Sequence, residues 1–115
     1  MKKVSLVILV FIGVLFMVGC DKKDGILIAG KRLEENSYIV VDVRTNLEYS
    51  ESHVKGSINI PYDEIDSNTT LDKDKTILVY CKSGVRSNKA YNTLKDLGYD
   101  VIDLGAYNNV TLEKE

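Results

Sequence analysis

Two short runs constrain this chain most. "YIVVDVR" at residues 38–44 and "TILVY" at residues 76–80 are apolar almost throughout and rich in β-formers. A strand with one wet face alternates polar and apolar residues. One that is apolar on both sides belongs in a parallel sheet covered on both faces. The rest of the sequence supplies the covers. "NLEYSESHV" reads as a short helical turn, and "GSINIP" as a short strand closed by Pro61. "YDEIDSNTTLDKDK" reads as a turn-rich connection with one helical turn at most. "RSNKAYNTLKDLG" sets Ala90, Leu94 and Leu97 at helical spacing, with Gly98 as the stop. "YDVIDLG" is a last strand before a short tail or helix. Nearer the start, Ile26–Ile28 is a candidate first strand. "AGKRLEEN" reads as a short helix with Leu33 inward and Asn36 near its end. Strands alternating with helices predict an α/β fold, which places ligands at the carboxyl ends of its strands. Cys81 stands at such an end.

The N-terminus is of another kind. "MKK" is followed by the apolar "VSLVILVFIGVLFMVG", then Cys20 and the polar "DKKDG". The apolar run falls short of the about 20 residues a spanning helix needs, and its form is that of an export signal with Lys2 and Lys3 left on the cytoplasmic side. Met17, Val18, Gly19 and Cys20 resemble the lipobox of bacterial lipoproteins. That resemblance implies cleavage before Cys20, diacylglycerol on its thiol, and a chain held at the outer face of the cell membrane. Asp21 then resembles a signal for retention at the inner membrane, should the host have two. An uncleaved anchor with an incidental cysteine is the plainer reading. The expected organisation is a signal over residues 1–19, a lipidated tether over 20–25 and one domain over 26–115.

Removing residues 1–19 takes away two lysines and no acid, leaving 13 basic and 17 acidic residues. This balance and the lack of a basic stripe argue against nucleic acid as a partner. Nothing in the sequence points beyond a monomer. With Cys20 blocked by lipid, Cys81 is the sole free thiol of an exported chain, and an unpaired thiol there is one to examine for reactivity.

The loop after Tyr80 reads "CKSGVRS". It must turn sharply from a strand into a helix starting near Arg86 or Ser87, and Gly84 supplies the permissive backbone. The main-chain N–H groups of residues 82–87 can then converge on one point above the positive end of the helix, which makes an anion site. A cysteine sulfur inside that ring would itself be the anion, with its pKa reduced from about 8.5. Lys82 and Arg86 add positive charge. The bland reading, a buried cysteine packing as a small hydrophobe, explains neither the glycine nor the cations.

"CKSGVRS" resembles the active-site loop of rhodanese (thiosulfate sulfurtransferase) domains, C-x-x-G-x-R-[ST]. "IVVDVRTNLEYSESHVKGSINIPYDEI" is similar to that family's D-V-R signature, and "GYDVIDLGAYNN" to its closing strand and glycine turn. The resemblance covers about residues 26–110. It implies a five-stranded, mostly parallel sheet flanked by helices on both faces. Cys81 would take a sulfane sulfur from a thiosulfate-like anion as a persulfide and pass it to a thiol or cyanide, with no metal or organic cofactor. Residues Lys82, Ser83, Gly84, Val85, Arg86 and Ser87 would hold the substrate and the persulfide charge. There are departures: Ser52 replaces a usual glycine, Ala106 the second glycine of the closing pair, and Val110 stands where a tryptophan is common.

Asp42 and Arg44, near the end of a strand on Cys81's edge, read as a structural turn that could also shape the loop, with Glu48 belonging to the same group. His53 reads as a hydrogen-bonding residue of its turn, since a preformed thiolate needs no general base. "DKDK" at 72–75 reads as a solvated turn, and the seven tyrosines as core edge and surface. Three other functions compete. A cysteine phosphatase or arsenate reductase needs C-x5-R, whereas four residues separate Cys81 from Arg86. A non-catalytic rhodanese-like binding module typically loses the cysteine. A sulfur-relay carrier would share the same loop.

Overall fold

The computed structural model describes residues 25–115, so the export signal, Cys20 and Asp21 lie outside the described residues. The chain divides into two compact units, one ending at Glu35 and the other running from Asn36 to Glu115.

In the first unit, β1 (Ile26–Ile28) pairs antiparallel with β2 (Lys31–Leu33). The expected helix over "AGKRLEEN" is therefore a strand. Ile28 pairs with Lys31, so Ala29 and Gly30 form a two-residue turn with φ of 51° and 75°. Two successive positive φ values are the hairpin geometry that matches strand twist. Asn36 also has positive φ, at 73°.

The second unit is a four-stranded parallel sheet flanked by helices, where the sequence led us to expect five strands. Its order is β4 (Ile58–Asn59), β3 (Tyr38–Asp42), β5 (Thr76–Cys81), β6 (Asp100–Ala106). Helix α1 (Asn46–Glu51) follows β3, and α2 (Val85–Asp96) follows β5, starting just ahead of the expected position. Single 3-10 turns occupy Tyr62–Glu64 and Tyr107–Asn109.

The two apolar runs form the central strands, and every residue of β5 is buried. Alternation along β5 sorts its side chains to two faces. Ile77, Val79 and Cys81 join Val41, Val43, Ala90, Leu94 and Val101 in a core beneath α2. Burying each large aliphatic chain contributes about 2 kcal/mol. Leu78 and Tyr80 point the other way with Val40 and Asp42, and the Tyr80 ring meets Tyr107 at 5.6 Å. The C-terminal tail is tied to the turn after α1 by a bridge between Val54 and Lys114 and by paired main-chain bonds between His53 and Glu115.

Two departures from the family pattern have structural answers. Ser52 has φ −172°, extended backbone that needs no glycine. Val110, where the family commonly has a larger ring, is itself buried. Gly98, the expected helix stop, follows α2 with φ 97°.

Candidate active site

Cys81 ends β5, where the sheet's carboxyl edge meets the amino end of α2. Gly84 caps α2 with φ 98°, a left-handed conformation that costs an L side chain energy and glycine almost nothing. This turn swings the Gly84 N–H back onto the Cys81 Sγ, 2.9 Å away. The Gly84 carbonyl then accepts the first helical N–H, from Asn88, at 3.1 Å. Across the site, Gly84 packs beside Gly105 and Ala106 of β6; a Cβ on Gly84 would lie 3.8 Å from the Gly105 Cα. Gly105 follows a bulge in the β5–β6 ladder and has φ 83°.

The sulfur is fully buried. Burial pushes its pKa up. The N–H groups of Ser87, Gly84 and Ser83 and the Ser87 hydroxyl push it down and prevail, so the thiol sits below its ordinary value. Ser87 is itself buried. Its one hydroxyl proton has two acceptors within reach, the Gly84 carbonyl at 3.2 Å and the sulfur. An anionic sulfur is the stronger of the two. Of the expected ring, the Gly84 N–H bonds the sulfur directly at 2.9 Å, and the N–H groups of Ser83 and Ser87 and the Ser87 hydroxyl favour its charged form.

Lys82, Ser83 and Val85 are exposed around this cup. Arg86 is not the free loop cation the sequence suggested. Its Nη1 and Nη2 donate to Glu48 Oε1 at 2.8 Å and Oε2 at 3.2 Å. The Arg86 side chain lowers the Glu48 carboxyl to about 2, with further help from Thr45, against the opposing effect of burial. This corrects the grouping of Glu48 with Asp42 and Arg44: its bonded partner is the loop arginine.

Asp42 and Arg44 form a separate network on the sheet face opposite Cys81. Asp42 accepts from the Arg44 N–H at 2.9 Å, from its Nε at 3.0 Å and from its Nη2 at 2.6 Å. The Tyr80 hydroxyl donates to Asp42 at 2.7 Å and accepts from the Val54 N–H at 2.9 Å. Burial, foremost, raises the Tyr80 pKa to about 12, which keeps that donor protonated. The Arg44 guanidinium lies 4.5 Å from the Tyr107 ring and donates to the Ser52 carbonyl at 2.6 Å. Asp42 and Arg44 thus fix the turn after α1 and make no direct bond to the Cys81 loop. Sequence reasoning missed Tyr80 and Tyr107 in this network. A tyrosine inside an otherwise aliphatic buried strand was the available signal, because a buried hydroxyl needs partners. His53 donates from Nδ1 to the Tyr49 carbonyl at 2.8 Å and stacks on the Tyr49 ring, the turn-holding part expected of it.

Among the described residues no group of His, Cys, Asp and Glu could hold a metal ion, and no helix is long and apolar enough to cross a membrane.

The fold is an α/β protein whose parallel sheet ends in a cysteine set against main-chain amides at a helix start. Residues 28–111 match the Rhodanese-like domain model, and the chain belongs to that family. It is 33% identical over 78 residues to thiosulfate sulfurtransferase PspE of Escherichia coli (strain K12), covering 64% of this chain and 75% of PspE. It is 40% identical over 63 residues to the adenylyltransferase and sulfurtransferase uba4 of Ogataea parapolymorpha, covering 53% of this chain and 16% of that longer protein. Among solved structures it is similar to a rhodanese with anions from E. coli, with TM-score 0.62 and 32% identity over 68% of this chain and 96% of that one.

Proposed function

We propose that this chain is a thiosulfate-type sulfurtransferase that works through a Cys81 persulfide. The observation that carries the reading is the Cys81 sulfur accepting the Gly84 N–H at 2.9 Å in a collar of main-chain donors. Such a collar holds a thiolate before any substrate arrives, and the thiolate is the nucleophile. Its Sγ attacks the outer sulfur of thiosulfate. A new S–S bond forms, the donor's S–S bond breaks, and sulfite leaves with the electron pair. The persulfide's terminal sulfur keeps the negative charge. A thiolate or cyanide then attacks that terminal sulfur, and Cys81 departs as a thiolate. A depressed pKa helps here too, since a low-pKa thiolate leaves faster. Exposed Lys82 favours an anionic donor. Asp42 and Arg44 support the scaffold, and no proton need be moved by a general base.

The test is intact mass after incubation with thiosulfate. A gain of one sulfur, absent in Cys81→Ala and lost on adding cyanide, supports the reading. No gain refutes it. A gain that only a protein thiol removes assigns the chain to sulfur relay.

We further propose that the chain is exported and lipid-anchored through Cys20, which supports a substrate pool outside the cytoplasm. Labelled fatty acid should enter the wild-type chain and not Cys20→Ala; equal labelling overturns the anchor.

A further inference from the structure

Glu48 makes more contacts to the site than its position in a polar six-residue helix suggests. In α1 it completes a capping box: its backbone N–H donates to Thr45 Oγ1, and its Oε1 accepts the Thr45 N–H at 3.0 Å. The same carboxylate takes both Arg86 nitrogens, joining segments 38 residues apart. Its partner lies in the first turn of α2, one residue before Ser87. The Ser87 hydroxyl donates to the Gly84 carbonyl at 3.2 Å, the Gly84 N–H donates to the Cys81 sulfur at 2.9 Å, and the Ser87 N–H and hydroxyl themselves favour the thiolate. A two-point bond on Arg86 therefore fixes the backbone that aims the Ser87 donors.

We propose that Glu48 is a positioning residue for sulfur transfer, holding Arg86 so that the Ser87 donors stay trained on the Cys81 sulfur. This deepens the sulfurtransferase reading and rests on it. Of the charged groups, Arg86 in α2 is the one that interacts with the sulfur; Glu48 in α1 is bonded to it, Lys82 is exposed in the loop, and Arg44 with its partner Asp42 lies on the opposite sheet face. Glu48 is the acid bonded to Arg86, which makes the sign of its effect diagnostic. If Glu48 acted only as a charge, neutralising it would lower the thiol pKa. If it positions the donors, neutralising it raises that pKa, because the collar loosens.

The experiment uses the full chain in detergent. Alkylation rate against pH gives the Cys81 titration midpoint, and thiosulfate with cyanide gives kcat and KM. For Glu48→Gln we expect the midpoint to move up by about one pH unit, with persulfide formation at neutral pH slowed roughly tenfold. Arg86→Lys keeps the cation and loses the two-point bond, so it is expected to show the same upward shift. It serves as the deciding variant should Glu48→Gln not fold. A downward or absent shift in a folded variant overturns the positioning role while leaving wild-type persulfide formation intact. Failure of the wild-type chain to gain sulfur overturns the sulfurtransferase reading itself.

Discussion

Asp42 offers the sharpest test of how the scaffold is held. Its side chain is fully buried and accepts bonds from the Arg44 backbone, the Arg44 guanidinium and the Tyr80 hydroxyl. Arg44 is only 5% exposed, so Asp42→Ala takes the counter-ion from a buried guanidinium. Breaking a buried ion pair on one side costs about 3–5 kcal/mol, since the remaining charge stays desolvated. The lost Tyr80 partner adds to this, while the Tyr107 ring and the Ser52 carbonyl still give Arg44 partial compensation. The lower figure, about 3 kcal/mol, is therefore expected. For a domain of this size each kcal/mol moves Tm by about 4–8 °C, so a fall of roughly 12 °C or more should appear in thermal unfolding followed by circular dichroism. Because Asp42 faces away from Cys81, alkylation of the folded fraction should keep its wild-type pH midpoint. A loss of stability under about 1 kcal/mol would refute the reasoning about the buried pair. A shifted midpoint in folded protein would show that the network reaches the sulfur after all.

Three more outcomes follow from the cup and its clamp. Ser87→Ala removes the hydroxyl donor and keeps the main-chain one, so the Cys81 midpoint in the alkylation–pH series should rise, with thiosulfate turnover falling at neutral pH. Gly84→Ala places an L residue at φ 98°, and urea unfolding should report a loss of about 1–2 kcal/mol together with weaker thiolate reactivity. The Glu48 carboxyl is lowered to about 2 in the folded chain, so its contribution to stability is complete above its ordinary value of 4.5 and vanishes as pH falls through about 2. Acid unfolding of Glu48→Gln should therefore lack that component, and equal pH dependence in both proteins would contradict it.

Some of this structure could be read directly from the residues. The central strands were legible because both of their faces are buried, which leaves an unbroken apolar run. The Cys81 cup was legible because its donors are all within six residues of the sulfur, so local chain geometry alone assembles it. The β1–β2 hairpin was not. Leu33 and the glutamates after it favour a helix, and the turn relies on Ala29 at positive φ, a conformation that alanine seldom announces. The Glu48–Arg86 pair was equally hidden, because only the tertiary fold brings the starts of α1 and α2 together. Tyr80 was misjudged because the hydroxyl's partners, Asp42 and Val54, come from distant segments.

The central claim is that main-chain amides hold the Cys81 sulfur as an anion before substrate binds. The most direct measurement is the rate of Cys81 alkylation by iodoacetamide across a pH series, read by mass. The account predicts a single titration with its midpoint below the about 8.5 of a free cysteine. A midpoint at or above that value would contradict it.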